Sequence, residues 1–524
     1  SLEKERAMST KYSITTVFSS FMYGIVAIPV QIEVYLTPGI NTFDILGLCD
    51  SSIMESRGRI RAALVASGYS FPHGHITISI SPSYIKKAGT NFDLPIAIGI
   101  LIASKQVRIN CSKKLYAEGE LSLDGQIKAT PGGALRLSCA KKENYDFYYL
   151  PSDQKPSCKC ASLSCSLNET LLDCIESMKR KYCPIKYSLD TVEEDDENYD
   201  VSIIKGQPKA LRTLFISACG WHNVLLVGSP GCGKTMAGRL IKLLLPPLSN
   251  DEVCEIFALN NAISRTLESE DSISASRPFR YVIQDTTTSI LIGSNSKLKP
   301  GEVVLANRGV LFADELCEYK KGVIDCLRQP MEDRLITFNK DGNEYKFPTN
   351  FIFVGSTNPC NCGNYYEKKS KCTCTEAQRL RYEQKISGPF LDRIDLFCEM
   401  HRVDNDGLKQ IAFTKTDGEI RFLKEKVAQC WLVQKERARQ AGIEECLNGQ
   451  MVEENLVEIF RADKRIIEYC ADMSTLYSCS ARGFLRLLKI GRTIADIEGH
   501  KDIEQSDIAE AFSYRNREFG VGKY

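Results

Sequence analysis

The stretch that decides the fold of this chain reads Gly228, Ser229, Pro230, Gly231, Cys232, Gly233, Lys234 and Thr235. It follows the apolar run 224–227, which has the length of a buried strand, and precedes 236–245, a helix-compatible run that stops at Pro246. Glycines between a strand and a helix let backbone N–H groups surround the oxygens of a phosphate group. Lys234 can then reach the β- and γ-phosphates of a nucleotide, and the Thr235 hydroxyl can ligate Mg²⁺. Because this placement makes a plain glycine turn a poor alternative, the sequence predicts a site for ATP and Mg²⁺.

A second predicted strand, 310–313, ends in the acidic residues Asp314 and Glu315. At the carboxyl end of a strand beside the glycine loop, Asp314 can hold Mg²⁺ through water, and Glu315 can orient or deprotonate the water that attacks the γ-phosphate. A third strand, 351–355, leads to Asn358, whose amide would lie at the same sheet edge. Asn358 is predicted to touch the γ-phosphate or the water, and an ordinary turn residue is the alternative.

The composition is that of a globular protein with several domains. The chain has 524 residues, of which 43% are hydrophobic and 25% charged, and this length predicts roughly two to four domains. The net charge of +1 excludes an overall basic field, so contact with nucleic acid would need a local basic surface. The longest apolar stretch, 94–103, is shorter than the roughly 20 residues that span a membrane, and the N-terminus lacks a signal peptide's apolar segment. We therefore expect a cytoplasmic protein without membrane contact.

Hydrophobic patterning divides the chain into three domains. Residues 1–190 mix short strands and helices, such as the alternating strand 75–81 and the apolar helix 94–104, which predicts an α+β domain. The acidic stretch 191–200 has almost nothing to bury and is predicted to be a linker. Residues 201–402 alternate buried strands with helices, as in an α/β domain with a parallel, doubly wound sheet. Residues 403–524 have no strand pattern, and amphipathic helices that would form a bundle or lid are predicted at 420–442, 454–472, 480–498 and 506–515.

The order of these motifs resembles that of AAA+ ATPases of the magnesium-chelatase-like clade, and within it the ComM/YifB family. Besides the glycine loop, the acidic pair and Asn358, the resemblance rests on the run from Gly388 to Asp395, which reads Gly-Pro-Phe-Leu-Asp-Arg-Ile-Asp, and on Ser480 to Arg482. It implies an AAA+ domain in which Asn358 is sensor 1, Arg393 is an arginine finger offered to the ATP of a neighbouring subunit, and Arg482 is sensor 2. Fixed cations stabilise the charge of the phosphoryl-transfer transition state, which agrees with these roles. From the residues alone, surface ion pairs are the alternative for both arginines.

The same resemblance implies an ATP-driven homo-oligomeric ring, a hexamer, with single-stranded or branched DNA in its pore. Members of the family are similar to branch-migration helicases that act during natural transformation. The segment 334–347 is predicted to be a β-hairpin with Lys340 at its tip, where this clade carries a pore hairpin. Lys340 would follow DNA phosphates, or would be a solvated lysine. The segment 271–303 stands in place of the clade's helix-2 insert but departs from it, since Tyr281-Val-Ile-Gln-Asp-Thr follows Arg-Pro-Phe-Arg where the family has Pro-His-His-Thr.

Two other functions stay open at this point. The first is a protein-remodelling ATPase that resembles the motor subunit of magnesium chelatase. The second is a nucleotide-dependent scaffold without turnover, which the presence of Lys234, Asp314, Glu315 and Arg393 disfavours.

Cysteines are unusually frequent, with 22 in the chain, and we expect most of them to be reduced thiols. Cys360, Cys362, Cys372 and Cys374 form a tandem Cys-x-Cys pattern directly after the third strand. Four thiolates this close can hold zinc in tetrahedral geometry, so the pattern predicts a zinc loop at 360–374, with free thiols as the alternative. For the similar group Cys158, Cys160 and Cys165 we expect free thiols.

The N-terminal domain resembles the proteolytic domain of Lon-type proteases at 119–126 and at 131–133. Lon cleaves with a serine and a lysine, whereas this chain has Gly-Thr-Asn-Phe-Asp-Leu at 89–94, where the nucleophile would fall, and Ala134 and Leu135 after the glycine pair. Without an activated hydroxyl, peptidase chemistry is not expected. The resemblance leaves a docking or ring-organising role for this domain.

Overall fold

The computed structural model describes residues 13–108, 113–180, 184–189, 206–263, 273–320, 322–340, 342–367, 372–402, 417–452, 456–476 and 481–515. The chain forms two compact units. Unit 1 contains Ser1–Asp195, Ser249–Ala275 and Lys297–Lys299, and unit 2 contains Asp196–Leu248, Ser276–Ser296 and Pro300–Tyr524. The predicted linker 191–200 lies outside the described residues, as do Asp341 and Ser480.

Unit 1 is built on a mixed sheet of eight strands with the order β10-β9-β8-β5-β1-β2-β4-β3, and β6 and β7 pair separately. In chain order the strands are β1 (Ser13–Tyr23), β2 (Val26–Thr37), β3 (Thr42–Leu46), β4 (His75–Ser81), β5 (Leu115–Ala117), β6 (Glu120–Leu121), β7 (Ile127–Lys128), β8 (Phe147–Pro151), β9 (Ser164–Asn168) and β10 (Ile185–Lys186). The helices of unit 1 are Ser51–Met54, Ser56–Ala66, Asp93–Ala103, Gly133–Glu143, Lys155–Ala161, Leu171–Lys179 and Asn250–Ile263, with a 3₁₀ turn at Ser152–Gln154.

The core of unit 1 forms where an apolar helix covers the sheet. The predicted alternating strand is confirmed as β4, on which Ile76, Ile78 and Ile80 are buried. The predicted apolar helix is confirmed as Asp93–Ala103, and every residue in it is buried. A helix that is apolar on all sides must be covered on all sides, and this one contacts both β1 and β2.

Residues 249–275 group with unit 1, although the sequence placed them inside the domain 201–402. The reason is the apolar face of the helix Asn250–Ile263, where Phe257 and Ala258 pack against Ala134. The backbone N–H of Gly132 also donates to Asn261 Oδ1 at 2.9 Å. Segments of unit 1 and unit 2 therefore alternate along the chain.

Unit 2 contains a five-stranded parallel sheet with the order β12-β15-β18-β11-β19. The remaining strands, in chain order, are β11 (Val224–Gly228), β12 (Phe279–Val282), β13 (Gly293–Ser294), β14 (Lys299–Pro300), β15 (Val310–Ala313), β16 (Leu335–Lys340), β17 (Asn343–Pro348), β18 (Ile352–Thr357) and β19 (Leu396–Met400). The three predicted strands are confirmed as β11, β15 and β18, all of which are buried. The predicted hairpin is confirmed as the antiparallel pair β16 and β17, in which Lys340 pairs with Asn343.

The C-terminal helices share one hydrophobic core with this sheet. Buried Trp431, Phe460 and Ile494 belong to the same cluster as Val224 and Phe312. Three of the four predicted helices are confirmed, whereas 454–472 is wrong as one helix, because Arg461 adopts a left-handed φ of 55° between two helices. The helices of unit 2 are Pro208–Gly220, Lys234–Leu244, Thr288–Leu291, Glu302–Leu305, Arg328–Asp333, Glu376–Glu383, Gly388–Leu391, Asp417–Gln440, Leu456–Ile459, Lys464–Leu476, Ala481–Glu498 and Gln505–Ser513, with 3₁₀ turns at Leu316–Glu318, Ile324–Leu327 and Asn448–Gln450.

Helices of membrane-spanning length and apolarity are absent from the described part of the chain.

The close packing of the helix Lys234–Leu244 on β15 generates a prediction. A Cβ added at Gly238 would lie 2.2 Å from Cδ2 of buried Phe312, so Gly238→Ala forces the helix and the strand apart. We expect the variant to lower the free energy of unfolding of unit 2 by about 1–3 kcal/mol. Both tryptophans of the chain, Trp221 and Trp431, lie in unit 2, so tryptophan fluorescence during urea unfolding measures this unit selectively. Gly388→Ala, which meets no atom within 4 Å, is the control, and equal stability of the two variants would contradict the packing argument.

Candidate functional site

The glycine loop lies between β11 and the helix Lys234–Leu244, as the sequence predicts. Gly233 precedes this helix with a left-handed φ of 92°, a conformation that glycine adopts without strain. At Gly228 an added Cβ would lie 2.5 Å from the carbonyl oxygen of Met400, so only glycine fits there. The loop therefore ends at the amino terminus of an 11-residue helix, where unpaired N–H groups and the helix dipole favour an anion.

A cavity of about 340 Å³ opens over this loop and brings together most of the predicted ATP-site residues. It is lined by Pro230, Gly231, Gly233, Lys234, Thr235, Met236, Asp314, Glu315 and Asn358. The predicted loop residues Gly228, Ser229 and Cys232 are not among the lining residues, and Ser229 and Cys232 are buried beneath the surface of the loop. The cavity thus joins a cation, two carboxylates, a hydroxyl and an amide.

Lys234 connects the loop to the neighbouring strand. Its Nζ donates to the carbonyl oxygens of Gly228 at 2.7 Å and Ser229 at 3.2 Å, and to Asn358 Oδ1 at 3.1 Å. Desolvation by burial lowers the pKa of Lys234, against the opposing attraction of Cys232, Asp314 and Glu315. A desolvated ammonium group held by neutral oxygens is ready to exchange them for charged phosphate oxygens.

The Asp314 carboxylate accepts hydrogen bonds at both of its oxygens. Oδ2 accepts from the hydroxyl groups of Thr235 at 3.3 Å and Tyr281 at 2.9 Å. Oδ1 accepts from the Ser356 hydroxyl and from the backbone N–H of Glu315, the latter at 3.1 Å. Sequence reasoning did not assign Ser356 or Tyr281 to the site. Ser356 directly follows the third predicted strand and could have been found there, whereas nothing local marks Tyr281.

Glu315 lines the cavity in a strained backbone conformation. Its φ of 53° lies in the left-handed region, which costs a non-glycine residue about 1–3 kcal/mol. The residue stands between the end of β15 and the 3₁₀ turn Leu316–Glu318. Its backbone N–H donates to Asp314 and is 3.4 Å from the Ser356 hydroxyl. β15 ends before Glu315, and the residue lies at the wall of the cavity.

The two predicted arginines, Arg393 and Arg482, do not line this cavity. Arg393 borders a second cavity, of about 520 Å³, and its side chain is only 9% exposed. It donates to the carbonyl oxygen of Pro389 at 2.6 Å and pairs with the Glu332 carboxylate. Arg482 Nη2 lies 3.0 Å from the other oxygen of Glu332. Glu332, which the sequence did not single out, therefore brings the two arginines together.

The four cysteines of the predicted zinc loop converge. The Sγ atoms of Cys360, Cys362 and Cys372 lie 3.4 to 3.7 Å apart, and all four sulfurs, including that of Cys374, lie within 4.8 Å of one another. Zn–S bonds of about 2.3 Å in a tetrahedron give sulfur separations of about 3.8 Å, so the quartet fits zinc. Desolvation opposes ionisation of Cys362, but hydrogen bonds from the backbone of Asn364 and Thr373 and from neighbouring thiols lower its pKa to about 5.

Cys158, Cys160 and Cys165 do not form such a group. Among the described residues, the only cluster of three or more metal-ligating side chains is the quartet at 360–374. Cys158 and Cys165 approach each other to 3.6 Å between sulfurs, whereas Cys160 is hydrogen-bonded to Cys254, whose pKa this bond lowers.

The loop that contains the four cysteines also contacts the phosphate-binding loop. Gly363 has a φ of 75°, and an added Cβ there would lie 2.5 Å from Cδ of Pro230. Arg402 Nε donates to the carbonyl oxygen of Pro230 at 3.3 Å, and the backbone N–H of Arg402 donates to Glu367. Gly363 and Arg402 therefore both lie against Pro230 of the phosphate-binding loop.

Three family models match this chain. They are described as subunit ChlI of Mg-chelatase over residues 32–154, magnesium chelatase, subunit ChlI over residues 200–408, and magnesium chelatase, subunit ChlI C-terminal over residues 421–515. Competence protein ComM of Haemophilus influenzae is 32% identical over 510 residues, which cover 96% of this chain and 97% of that protein. The YifB proteins of Salmonella typhimurium and Escherichia coli are both 31% identical, with 96% of this chain and 97% of each relative covered.

The parallel sheet, the glycine loop and these matches define an AAA+ ATPase of the magnesium-chelatase type. The chain belongs to the ComM/YifB family. Membership implies the use of ATP and Mg²⁺, which the residues of the 340 Å³ cavity fit, and assembly into oligomers.

The geometry of the cysteine quartet generates a second prediction. Purified without chelators, the full chain is expected to carry about one zinc ion, because four sulfur ligands complete a tetrahedral site. Cys362→Ser should lose most of this metal. The zinc content is measured by elemental analysis and by release to a chromogenic chelator after chemical modification of the cysteine thiols. Cys165→Ser, in the cluster expected to hold free thiols, is the matched control. Equal zinc content in both variants, or a metal-free native protein, would rule out the site.

Proposed function

We propose that this chain is an ATP-driven, ring-forming motor that acts on DNA, as a helicase or branch-migration translocase on recombination intermediates in natural transformation. The observation that carries the proposal is the convergence of Lys234, Thr235, Asp314, Glu315 and Asn358 at one cavity. The similarity to competence protein ComM over almost the whole chain supports the DNA substrate. A location in the cytoplasm, where such intermediates form, stays a prediction from the sequence.

In the proposed reaction each group at the cavity has one task. Lys234 would exchange its bonds to loop carbonyls for bonds to oxygens of the β- and γ-phosphates, and Thr235 and Asp314 would hold Mg²⁺, which would supply positive charge beside the phosphates. Glu315 orients or deprotonates the attacking water. Asn358, which lies 3.1 Å from Lys234 Nζ, acts as sensor 1 on the γ-phosphate. Hydrolysis thereby depends on groups from three strands of one sheet.

The position of Arg393 supports a ring-forming assembly. Since Arg393 does not line the phosphate cavity of its own chain, we propose that it acts as a finger on the ATP of the neighbouring subunit, with Arg482 as sensor 2. An arginine supplied in trans couples hydrolysis to assembly. The proposed assembly is a hexamer.

DNA would contact the ring through a repeated basic surface, because the net charge of the chain is only +1. We propose that Lys340, at the end of the hairpin β16–β17, follows backbone phosphates in the pore. The N-terminal residues resemble a Lon-type domain without its peptidase, because Ala134 and Leu135 begin the helix Gly133–Glu143 where a lysine would be needed. We propose that this domain docks partners or organises the ring.

The second candidate function is a protein-remodelling ATPase that resembles the magnesium-chelatase motor subunit. It is favoured by the matches to three magnesium-chelatase family models along the chain. The two functions differ in substrate, so the response of ATP hydrolysis to DNA separates them.

A third prediction concerns the role of Glu315. Glu315→Gln keeps the size of the side chain but removes the base, so ATP hydrolysis should fall by about 10²- to 10⁴-fold while binding of a fluorescent ATP analogue stays within about threefold. Glu318→Gln, an exposed residue that pairs with Lys385 at 3.4 Å, is the matched control and should hydrolyse ATP normally. Turnover by Glu315→Gln at the native rate would remove Glu315 from the mechanism.

A fourth prediction concerns DNA. The ATPase rate should rise several-fold with single-stranded or branched DNA, and the protein should displace strands from forked substrates in an ATP-dependent assay. Lys340→Ala should weaken DNA binding and its salt dependence, since a phosphate contact is lost, and leave the DNA-free ATPase rate unchanged. Lys346→Ala, on β17 and paired with Glu344 at 3.3 Å, is the control. An ATPase rate that DNA does not change, without strand displacement, would favour the protein-remodelling function.

A further inference from the structure

Tyr281 lies on β12, the edge strand of the parallel sheet in unit 2, next to β15. It is the Cα partner of Phe312 in the parallel register, one position before the pair of Val282 and Ala313. Its ring stacks on the Phe312 ring with centroids 5.6 Å apart and planes inclined by 16°. Tyr281 is 45% exposed, and the contact of its ring with buried Phe312 restricts the rotamers that the phenol can adopt.

The Tyr281 hydroxyl donates to Asp314 Oδ2 at 2.9 Å. The same oxygen accepts the longer bond, 3.3 Å, from the hydroxyl of Thr235, the residue assigned to Mg²⁺. The other oxygen is held by Ser356 and by the backbone of Glu315. A carboxylate offers about four lone-pair sites, so Tyr281 supplies one of a complete set of four donors and the shorter of the two bonds at the oxygen that faces Thr235.

A second tyrosine fixes the strand itself, since the buried Tyr319 hydroxyl donates to the carbonyl oxygen of Val282 at 2.8 Å. The contact between β12 and the acidic end of β15 is therefore held from both sides.

We propose that Tyr281 is a positioning residue for the magnesium site: its hydroxyl holds the plane of the Asp314 carboxylate toward Thr235, and so sets how strongly the ATPase binds Mg²⁺. The proposal rests on the ATPase part of the proposed function and is independent of DNA. Without the phenol, Oδ2 keeps only the longer bond from Thr235, and three donors instead of four hold the orientation of the carboxylate. The free energy of Mg²⁺ binding would then include the cost of ordering the Asp314 carboxylate.

The test is the magnesium dependence of Tyr281→Phe in the full chain. The substitution removes one hydroxyl and keeps the ring on Phe312, so the half-saturating Mg²⁺ concentration for ATP hydrolysis should rise about three- to tenfold, the effect of losing one hydrogen bond of ordinary strength. The rate at saturating Mg²⁺ should stay within about twofold of the native rate. Mg²⁺-dependent binding of a fluorescent nucleotide, which needs no turnover, should shift by the same factor.

Tyr514→Phe is the matched control, since it also loses one phenolic hydroxyl bonded to a carboxylate, that of Glu510, but neither residue lines the 340 Å³ cavity. Its magnesium dependence should equal that of the native chain. Tyr281→Leu removes the ring as well, and tryptophan fluorescence shows whether each variant is folded. A rise seen in Tyr281→Leu but not in Tyr281→Phe would mean that packing on Phe312, not the hydroxyl, matters, and would overturn the proposal. A native chain without Mg²⁺-dependent ATPase activity would instead refute the proposed function itself.

Discussion

The parallel register of three buried strands is the constraint on which the ATP site depends. β11, β15 and β18 are neighbours in one sheet, so the glycine loop, Asp314 and Asn358 leave it at the same edge. Adjacent strands are held about 4.8 Å apart by backbone hydrogen bonds. Groups that lie far apart in the sequence thus reach hydrogen-bond distance of each other, as Lys234 and Asn358 do at 3.1 Å.

The hydrogen bonds around Asp314 determine the orientation of its carboxylate at this edge of the sheet. Four donors surround its carboxylate, and they come from the helix after the loop, from β12, from β18 and from the backbone of Glu315. A fully hydrogen-bonded carboxylate is fixed in orientation, which lowers the cost of ordering it when a metal binds. The strained φ of Glu315 is sustained by the same contacts.

Two further contacts join residues of unit 2 that lie far apart in the sequence. Glu332 pairs with both Arg393 and Arg482, so two guanidinium groups share a single carboxylate. The cysteine loop lies against Pro230 of the phosphate loop at Gly363. A movement of Gly363 would therefore also move Pro230, because closely packed backbone segments cannot move independently.

Local features were predictable from the sequence, namely the run 224–235, the acidic end of β15, the alternation of β4 and the apolar helix Asp93–Ala103. Each follows from the spacing of apolar residues and glycines, which constrains the backbone over a few residues. Only the tertiary structure decided that Tyr281 touches Asp314, that Glu332 joins the two arginines, and that the helix Asn250–Ile263 packs in unit 1. Each of these depends on which strands and helices become neighbours. That choice is made by the burial of apolar surface across the whole unit, and no short stretch of residues encodes it.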